Sequence, residues 1–245
     1  TLTANTTADN NTAVGYYCLS SNTTGHSNVA MGTYSLDAAT TANSNTAMGY
    51  DSLTAVTTGS RNTGLGYQAG NAVTSGIHNV FVGLSTGRGT TTGEDNVMVG
   101  SGAGHTSGNA NDRTYVGREA GAYATGHNNT SIGNKAMHGS TSGSSGSQNV
   151  AVGSRCMQNY TTSVNNVAIG FSAMENATTG GSNVAIGYQA ATNMVPNVSY
   201  LTAVGDRSVG NGSISGAHNT VVGHYAGYAL TSGHSNTSLG SNSLS

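Results

Sequence analysis

The sequence predicts an all-β chain folded as a parallel β-solenoid, in which fourteen similar rungs follow one another along the chain. Three observations support that prediction: a repeat that tiles the whole chain, aliphatic positions locked to the repeat, and a glycine that closes every copy. Self-similarity at a short fixed period is the signature of a stacked repeat architecture. The high content of Gly, Asn, Thr and Ser disfavours helices.

The repeat is recognised by a short string that ends in glycine. The segment Asn11–Gly15 (NTAVG) recurs as NVAMG, NTAMG, NTGLG and NVFVG. The sequence numbers of successive repeat glycines differ by 17 six times, and then by 16, 20, 17, 17, 18, 18 and 17. Fourteen copies leave no room for a separate globular domain, so we expect one repeat domain over residues 1–245. The repeat glycines are Gly15, Gly32, Gly49, Gly66, Gly83, Gly100, Gly117, Gly133, Gly153, Gly170, Gly187, Gly205, Gly223 and Gly240.

The residues before each repeat glycine have the pattern of a short strand. One residue before the glycine, all fourteen positions are aliphatic; three residues before it, eight are Thr and six are Val. Residues two apart on a strand point to one face. Since β-branched and aliphatic side chains suit a buried pleated surface, we expect both columns to point inward or to lie between chains.

After each repeat glycine, the pattern predicts a second inward stretch and a turn. Three residues after the glycine every position is small, and this column includes Cys18 and Cys156. Thr-Gly pairs such as Thr24-Gly25 then close the coil. The two cysteines are eight rungs apart at about 4.8 Å per rung, so they cannot form a disulfide within one chain. We interpret both as substitutes for alanine.

Asparagine fills twelve of the fourteen positions that lie four residues before the repeat glycine, the exceptions being Arg113 and Leu201. Identical amides stacked at rung spacing can form a ladder in which each side chain bonds its neighbours. Such a ladder satisfies polar groups without charges, which fits a chain with only 7% charged residues. The predicted ladder consists of Asn11, Asn28, Asn45, Asn62, Asn79, Asn96, Asn129, Asn149, Asn166, Asn183, Asn219 and Asn236.

The composition excludes several classes of partner. With a net charge of −2, the chain has no basic field for phosphates, so we expect no nucleic-acid partner. No apolar run approaches the ~18 residues of a membrane span, so we expect no membrane insertion by this segment. The histidines fall at different places in the repeat and form no HxH or HxxxH pair, so we expect no metal site and no cofactor.

Catalysis is also not expected, because a glycosidase needs paired carboxylates and most carboxylates here stand alone in their columns. The exception is a polar row twelve residues after the repeat glycine, a candidate contact for a glycan or a cation. It consists of Arg61, His78, Asp95 and Asp112. The alternative for this row is simply the charged edge of a turn.

A partial aromatic ladder, one residue after the glycine, suits stacking or packing between chains better than a receptor site. It comprises Tyr16, Tyr50, Tyr67, Phe171 and Tyr188.

The repeats resemble those of a known family. The strings NVAIGYQA (Asn183–Ala190), NVAIGFSA (Asn166–Ala173) and NTAVGYYCL (Asn11–Leu19) are similar to the YadA-like head repeats of trimeric autotransporter adhesins, and to repeats of phage tail and head fibres. The resemblance covers essentially the whole chain. It implies a left-handed parallel β-roll, three chains side by side, and a surface for adhesion. The period of 17 is longer than that of the adhesin head repeat, and we expect the extra length in the Thr/Ser/Asn turn.

The expected function is therefore a structural or adhesive fibre segment that mediates attachment to a host or a surface. We expect an extracellular homotrimer on a cell or virion surface, with a host glycan or protein receptor as a further partner. Two alternatives stay open. The first is an ice-binding solenoid with regular threonines, although the column that mixes Thr and Val has no TxT partner. The second is a tailspike hydrolase, which release of reducing sugar from a host polysaccharide would indicate.

Departures from the regular spacing predict outward loops, because loops disturb stacked rungs least when they leave from turns. We expect such loops at Gly139–Gln148, Met194–Tyr200 and Asn211–Ala217. The chain begins and ends in mid-rung without a capping unit, and we expect only about three inward side chains per rung. Both features favour lateral packing of chains in a fibre that continues beyond residues 1 and 245.

Overall fold

Each repeat forms one three-residue strand directly before its repeat glycine in the computed structural model, which describes residues 1–210 and 214–244. The strands are parallel and follow chain order, and no helix occurs in these two ranges. The predicted all-β parallel solenoid is confirmed. The chain divides into two compact units, Thr1–Glu119 and Ala120–Ser245, which are described in turn.

The first unit repeats at one fixed spacing, because its repeat glycines follow one another in equal steps from Gly15 to Gly117. Each strand pairs with the next in one register, so that Thr12 lies opposite Val29. Hydrogen bonds between rungs continue in the turns, where the Leu19 amide donates to the Ser35 carbonyl at 3.1 Å. The strands are β1 (Thr12–Val14), β2 (Val29–Met31), β3 (Thr46–Met48), β4 (Thr63–Leu65), β5 (Val80–Val82), β6 (Val97–Val99) and β7 (Thr114–Val116).

The second unit keeps the strand register although its spacing varies. Thr130 lies opposite Val150 across the widest gap between repeat glycines, and three isolated parallel bridges form outside the strands, at Ala124–Ser144, Val164–Gly181 and Met194–Ile214. Its strands are β8 (Thr130–Ile132), β9 (Val150–Val152), β10 (Val167–Ile169), β11 (Val184–Ile186), β12 (Thr202–Val204), β13 (Thr220–Val222) and β14 (Thr237–Leu239).

The first two segments predicted as outward loops each contain a short exposed turn, flanked by buried residues. In the first of them, residues 141–142 form an exposed turn, and pairing resumes only at the single bridge residue Ser144. In the second, Pro196 and Asn197 form an exposed turn. Part of the third predicted loop, residues 211–213, lies outside the described residues.

The inward direction predicted for the two strand columns is wrong. The aliphatic column faces outward, with 54% of Val14, 40% of Ile132 and 37% of Ile186 exposed. The residue between the two columns points inward instead, as the fully buried Ala47 and Phe81 show. A one-residue error in phase exchanges the faces of a strand, because side chains alternate with a period of two. The option that these columns lie between chains stays open.

Six positions in each period of the repeat face the core, where three were expected. Between Gly32 and Gly49 they are Ser35, Leu36, Ala39, Ala42, Asn45 and Ala47, all fully buried. The small column three residues after the repeat glycine is inward, as predicted, and includes the buried Cys18 and Cys156.

Two core columns vary in a complementary way, the mid-strand position and the position four residues after the repeat glycine: a small residue in one accompanies a larger residue in the other, except at Gly64 with Gly70 and at Ala185 with Ala191. Mid-strand Ala47 accompanies Leu53, whereas mid-strand Phe81 accompanies Gly87. At the junction of the two patterns, a Cβ on Gly70 would lie 2.6 Å from Phe81 Cδ2 and 2.8 Å from Leu53 Cδ2. Close packing of protein interiors makes such complementarity necessary, since neither a void nor an overlap is tolerated.

The repeat glycine is required by a close approach of two backbones. Gly32 has φ of 135°, and a Cβ on it would lie 2.5 Å from the carbonyl oxygen of Gly49 in the next rung. No side chain fits where the turns of successive rungs stack this closely.

Candidate functional site

The predicted asparagines form a hydrogen-bonded ladder. The backbone amide and Nδ2 of Asn28 both donate to Asn11 Oδ1, at 2.9 and 3.2 Å, and Nδ2 also donates to the Ala42 carbonyl at 2.8 Å. In the second unit, Asn149 bonds Asn129 in the same way. One side chain thus joins a strand, a turn and the next rung, so the ladder is a structural element of the coil.

The two exceptions to the ladder are accommodated differently. Arg113 is fully buried, and its Nε donates to Asn96 Oδ1 at 2.8 Å, while its Nη1 donates to the Ser107 carbonyl at 2.6 Å. The guanidinium therefore keeps the ladder bond to the preceding asparagine, but it bonds a carbonyl of the turn before it, whereas Asn28 bonds a carbonyl of the turn that follows. At Leu201 only the backbone amide continues the ladder, by donating to Asn183 Oδ1 at 2.9 Å.

The strand residues that point outward form an apolar surface on each unit, here called the outward face. It consists of the columns one and three residues before the repeat glycine. On the first unit it includes Val14, Val29, Met31 and Met48, whose side chains are between 36% and 54% exposed. The uniformly aliphatic column of the repeat belongs to it. Scattered apolar residues are normal on a protein surface, but a contiguous apolar stripe marks an interaction site.

An aromatic row runs beside the outward face of the first unit. Tyr50 and Tyr67 are stacked, with ring centroids 5.4 Å apart and planes 12° apart. Tyr34 links Tyr50 to Tyr16, at 6.2 and 5.7 Å, and Tyr17 lies 4.5 Å from Tyr16. The rings of Tyr16, Tyr17, Tyr50 and Tyr67 are exposed.

Sequence reasoning missed two members of this row, Tyr17 and Tyr34, because they lie two residues after the repeat glycine rather than one. Both have positive φ, 53° and 57°, which brings their rings toward the predicted column. A column of left-handed residues at that position could have been suspected from its tolerance for Asn, Asp and Gly. In the second unit, the predicted Phe171 and Tyr188 stack at 5.5 Å.

The structure brings together three of the four residues of the predicted polar row. Arg61 Nη1 lies 3.0 Å from His78 Nε2, and His78 Nδ1 lies 3.3 Å from Asp95 Oδ1. These contacts fit a histidine with its proton on Nδ1, which donates to the carboxylate and accepts from the guanidinium. The row of contacts does not extend to Asp112 within the described residues.

The remaining reactive groups are buried or dispersed. Burial raises the pKa of the Cys156 thiol to about 12, and its Sγ donates to the Ala168 carbonyl at 3.1 Å. Cys18 is likewise free and buried, and burial raises the pKa of its thiol. Among residues 1–210 and 214–244, no three side chains of His, Cys, Asp or Glu lie close enough together to hold a metal ion. The same ranges contain no helix suited to spanning a bilayer.

No family model matches the chain, and neither a curated protein nor a solved structure matches it. The outward face, the aromatic row and the polar row are therefore interpreted from their own geometry.

Proposed function

We propose that this chain is a structural segment of a homotrimeric fibre, displayed outside a cell or on a virion, that mediates attachment to a host or a surface. One observation carries the proposal: the aliphatic column that is uniform in all fourteen repeats points out of the coil. An outward side chain has no reason to stay aliphatic in every copy unless another surface covers it. The same column in a second and a third copy of the chain is the simplest complementary surface.

A repeating face is well suited to this role. Because the outward face recurs at every rung, each rung contributes a small contact, and the contacts sum along the fibre. Turn residues outside this face, such as the exposed Thr24 and Thr58, remain free for solvent or for a receptor. Closed three-fold association buries equivalent patches from each chain, and the resemblance of the repeats to adhesin heads supports three as the number of chains.

The mass of the chain in solution at micromolar concentration tests this proposal. We expect a trimer, and we expect the double variant Met48→Glu and Leu65→Glu to dissociate while keeping its β circular dichroism. The matched control is Thr58→Glu, a charge placed on an exposed turn residue, which should leave the trimer intact. A well-folded wild-type monomer would contradict the proposal.

One observation also favours the ice-binding alternative. The column of Thr and Val, which was expected to point inward or to lie between chains, points outward from the strands, and Thr12, Thr220 and Thr237 are exposed. Against this alternative, the neighbouring outward column is aliphatic in every repeat, so the face carries no paired threonine ranks. Thermal hysteresis of a chain that stays monomeric would favour ice binding over the fibre.

A further inference from the structure

We infer that the aromatic row of the first unit is a site of oxidative cross-linking, in which Tyr50 and Tyr67 become joined through a carbon–carbon bond between their rings. Their centroids are 5.4 Å apart, and the planes differ by only 12°. Side chains in such an offset stack already touch at their edges, and surface side chains move on the picosecond to nanosecond scale. Ring carbons ortho to the two hydroxyls can therefore reach bonding contact without unfolding.

The two tyrosines are accessible to an oxidant, and the thiols that could react in their place are not. The Tyr50 and Tyr67 side chains are 44% and 49% exposed, so a dissolved oxidant can reach both rings. Buried thiols compete poorly, since Cys18 and Cys156 are fully buried. The neighbouring tyrosines connect to the pair through Tyr34, 6.2 Å from Tyr50, so a radical formed on another ring of the row can be passed to it.

The co-reactant is a one-electron oxidant, such as a haem peroxidase with hydrogen peroxide. Each phenol loses one electron and its hydroxyl proton, which gives two neutral tyrosyl radicals. The radicals couple through one ortho carbon of each ring, and loss of the two ortho hydrogens to the phenolic oxygens restores both aromatic rings. One hydrogen peroxide is reduced to two waters per cross-link, so the protein loses two hydrogen atoms in total.

The consequence is a covalent bond between consecutive rungs. Tyr50 and Tyr67 occupy equivalent positions, each directly after its repeat glycine, so the bond closes a loop of one rung. A cross-link of this kind restricts the unfolded chain in the way a disulfide does.

The sequence supplies a direct assay. A protease that cleaves after Arg and Lys separates residues 1–61 from residues 62–88, and Tyr67 is the single tyrosine of the second peptide. After treatment with peroxidase and hydrogen peroxide, the band of single-chain mass is isolated on a denaturing gel and digested. We expect dityrosine fluorescence and a joined peptide that has lost two hydrogens, bonded at Tyr50 and Tyr67.

Two variants complete the test. Tyr67→Phe keeps the stack but removes a phenol, so the joined peptide should vanish while circular dichroism is unchanged. Phe171→Tyr adds the missing phenol to the pair of Phe171 and Tyr188, stacked at 5.5 Å and 11°, and should gain an internal cross-link. A joined peptide that persists in Tyr67→Phe, or coupling seen only between separate chains, would overturn the inference. It does not depend on the proposed fibre function, whose test is the mass of the untreated chain.

Discussion

Two regions of the first unit fill the same core in opposite ways. In the rung of Ala47, the strand contributes a methyl group and the following turn contributes Leu53. In the rungs of β5 and β6, the strand contributes Phe81 or Met98, and the turn contributes glycine. The strand register and the asparagine ladder are the same in both regions. The coil thus needs a large side chain in one of the two columns but not in a particular one, and where both are glycine, as at Gly64 and Gly70, side chains of neighbouring rungs lie close to the site.

The left-handed backbone at the turn position is also common to both regions. Leu53 has φ of 50° there and Gly87 has φ of 62°. A glycine at this position is therefore not required by the backbone, since leucine adopts the same conformation two rungs away. What excludes a side chain from Gly87 is the ring of Phe81, which a Cβ on Gly87 would overlap.

The largest expected effect comes from exchanging the two columns of one rung. Phe81→Ala should lose about 3–5 kcal/mol of unfolding free energy by leaving a cavity. Gly87→Leu should lose about 3 kcal/mol by overfilling the core. The double variant recreates the pair of Ala47 and Leu53 within one rung, but its leucine precedes Met98, whereas Leu53 precedes Gly64. We therefore expect it to be more stable than Gly87→Leu in urea unfolding and less stable than the wild-type chain. Additive losses in the double variant would show that the two columns do not exchange volume.

The second prediction separates two reasons for glycine. Gly32→Ala should destabilise the chain by about 2–4 kcal/mol, because the added Cβ meets the backbone of Gly49. No second substitution can relieve that contact, whereas Phe81→Ala should relieve Gly87→Ala. The control is Gly240→Ala, where nothing lies within 4 Å of the added Cβ and the measured loss should be smaller.

The third prediction concerns the ladder that both regions share. Asn45→Ala removes the partner of the Asn62 backbone amide and of the Gly59 carbonyl, at a cost of about 2–3 kcal/mol. Asn79→Ala does the same to the Asn96 amide and the Gly93 carbonyl, at a similar cost. Because the ladder contacts do not depend on how the core is filled, the two losses should agree closely. A clear difference between the urea midpoints of the two variants would show that the stability of the ladder depends on how the core is filled.

The smallest effect is expected at the two cysteines, which lie in rungs whose mid-strand residue is alanine. Cys18→Ala and Cys156→Ala should each change the unfolding free energy by about 1 kcal/mol or less, because alanine occupies the same column elsewhere. Urea unfolding of the two variants beside the wild-type chain measures both changes.

The raised pKa of the Cys156 thiol, about 12 in place of 9.0, keeps the folded protein protonated at that site. Because this pKa is higher in the folded protein than in the unfolded chain, the protonated thiol contributes fully to the free energy of unfolding below pH 9. That contribution is lost as the pH rises toward 12. At neutral pH, alkylation of Cys156 should follow unfolding across a urea series. Rapid alkylation in the absence of urea would contradict the buried placement.

The rung count, the strand positions and the asparagine ladder could all be predicted from the sequence, because each depends on a feature that recurs in nearly every copy. The direction of the strand faces could not. The invariant aliphatic column that contains Val14 looked like a core, whereas the true core column varies from Ala47 to Phe81. Its variation is compensated at Leu53 and Gly87, and a pattern shared by two columns is invisible when each column is examined alone.

The polar row was only partly predictable for a related reason. Stacking at rung spacing brings Arg61, His78 and Asp95 into contact as their shared column implies. Whether the next member also makes contact depends on rotamers at an exposed turn, and the repeat does not specify them.

The glycine at position 70 has a consequence for how such a chain can lengthen during evolution. It lies between Leu53 of the preceding rung and Phe81 of the following one, and both side chains lie close to the space that a side chain at position 70 would need. If a rung is duplicated within the block of Leu19, Leu36 and Leu53, a leucine again packs between leucines of the same column, so no neighbouring side chain has to change. Moving the Phe81 rung into that block would set its ring against a leucine on the preceding rung. We therefore expect tandem duplication to be tolerated inside such a block, and we expect a boundary between two blocks to need a rung like that of Gly64 and Gly70, which is small in both columns.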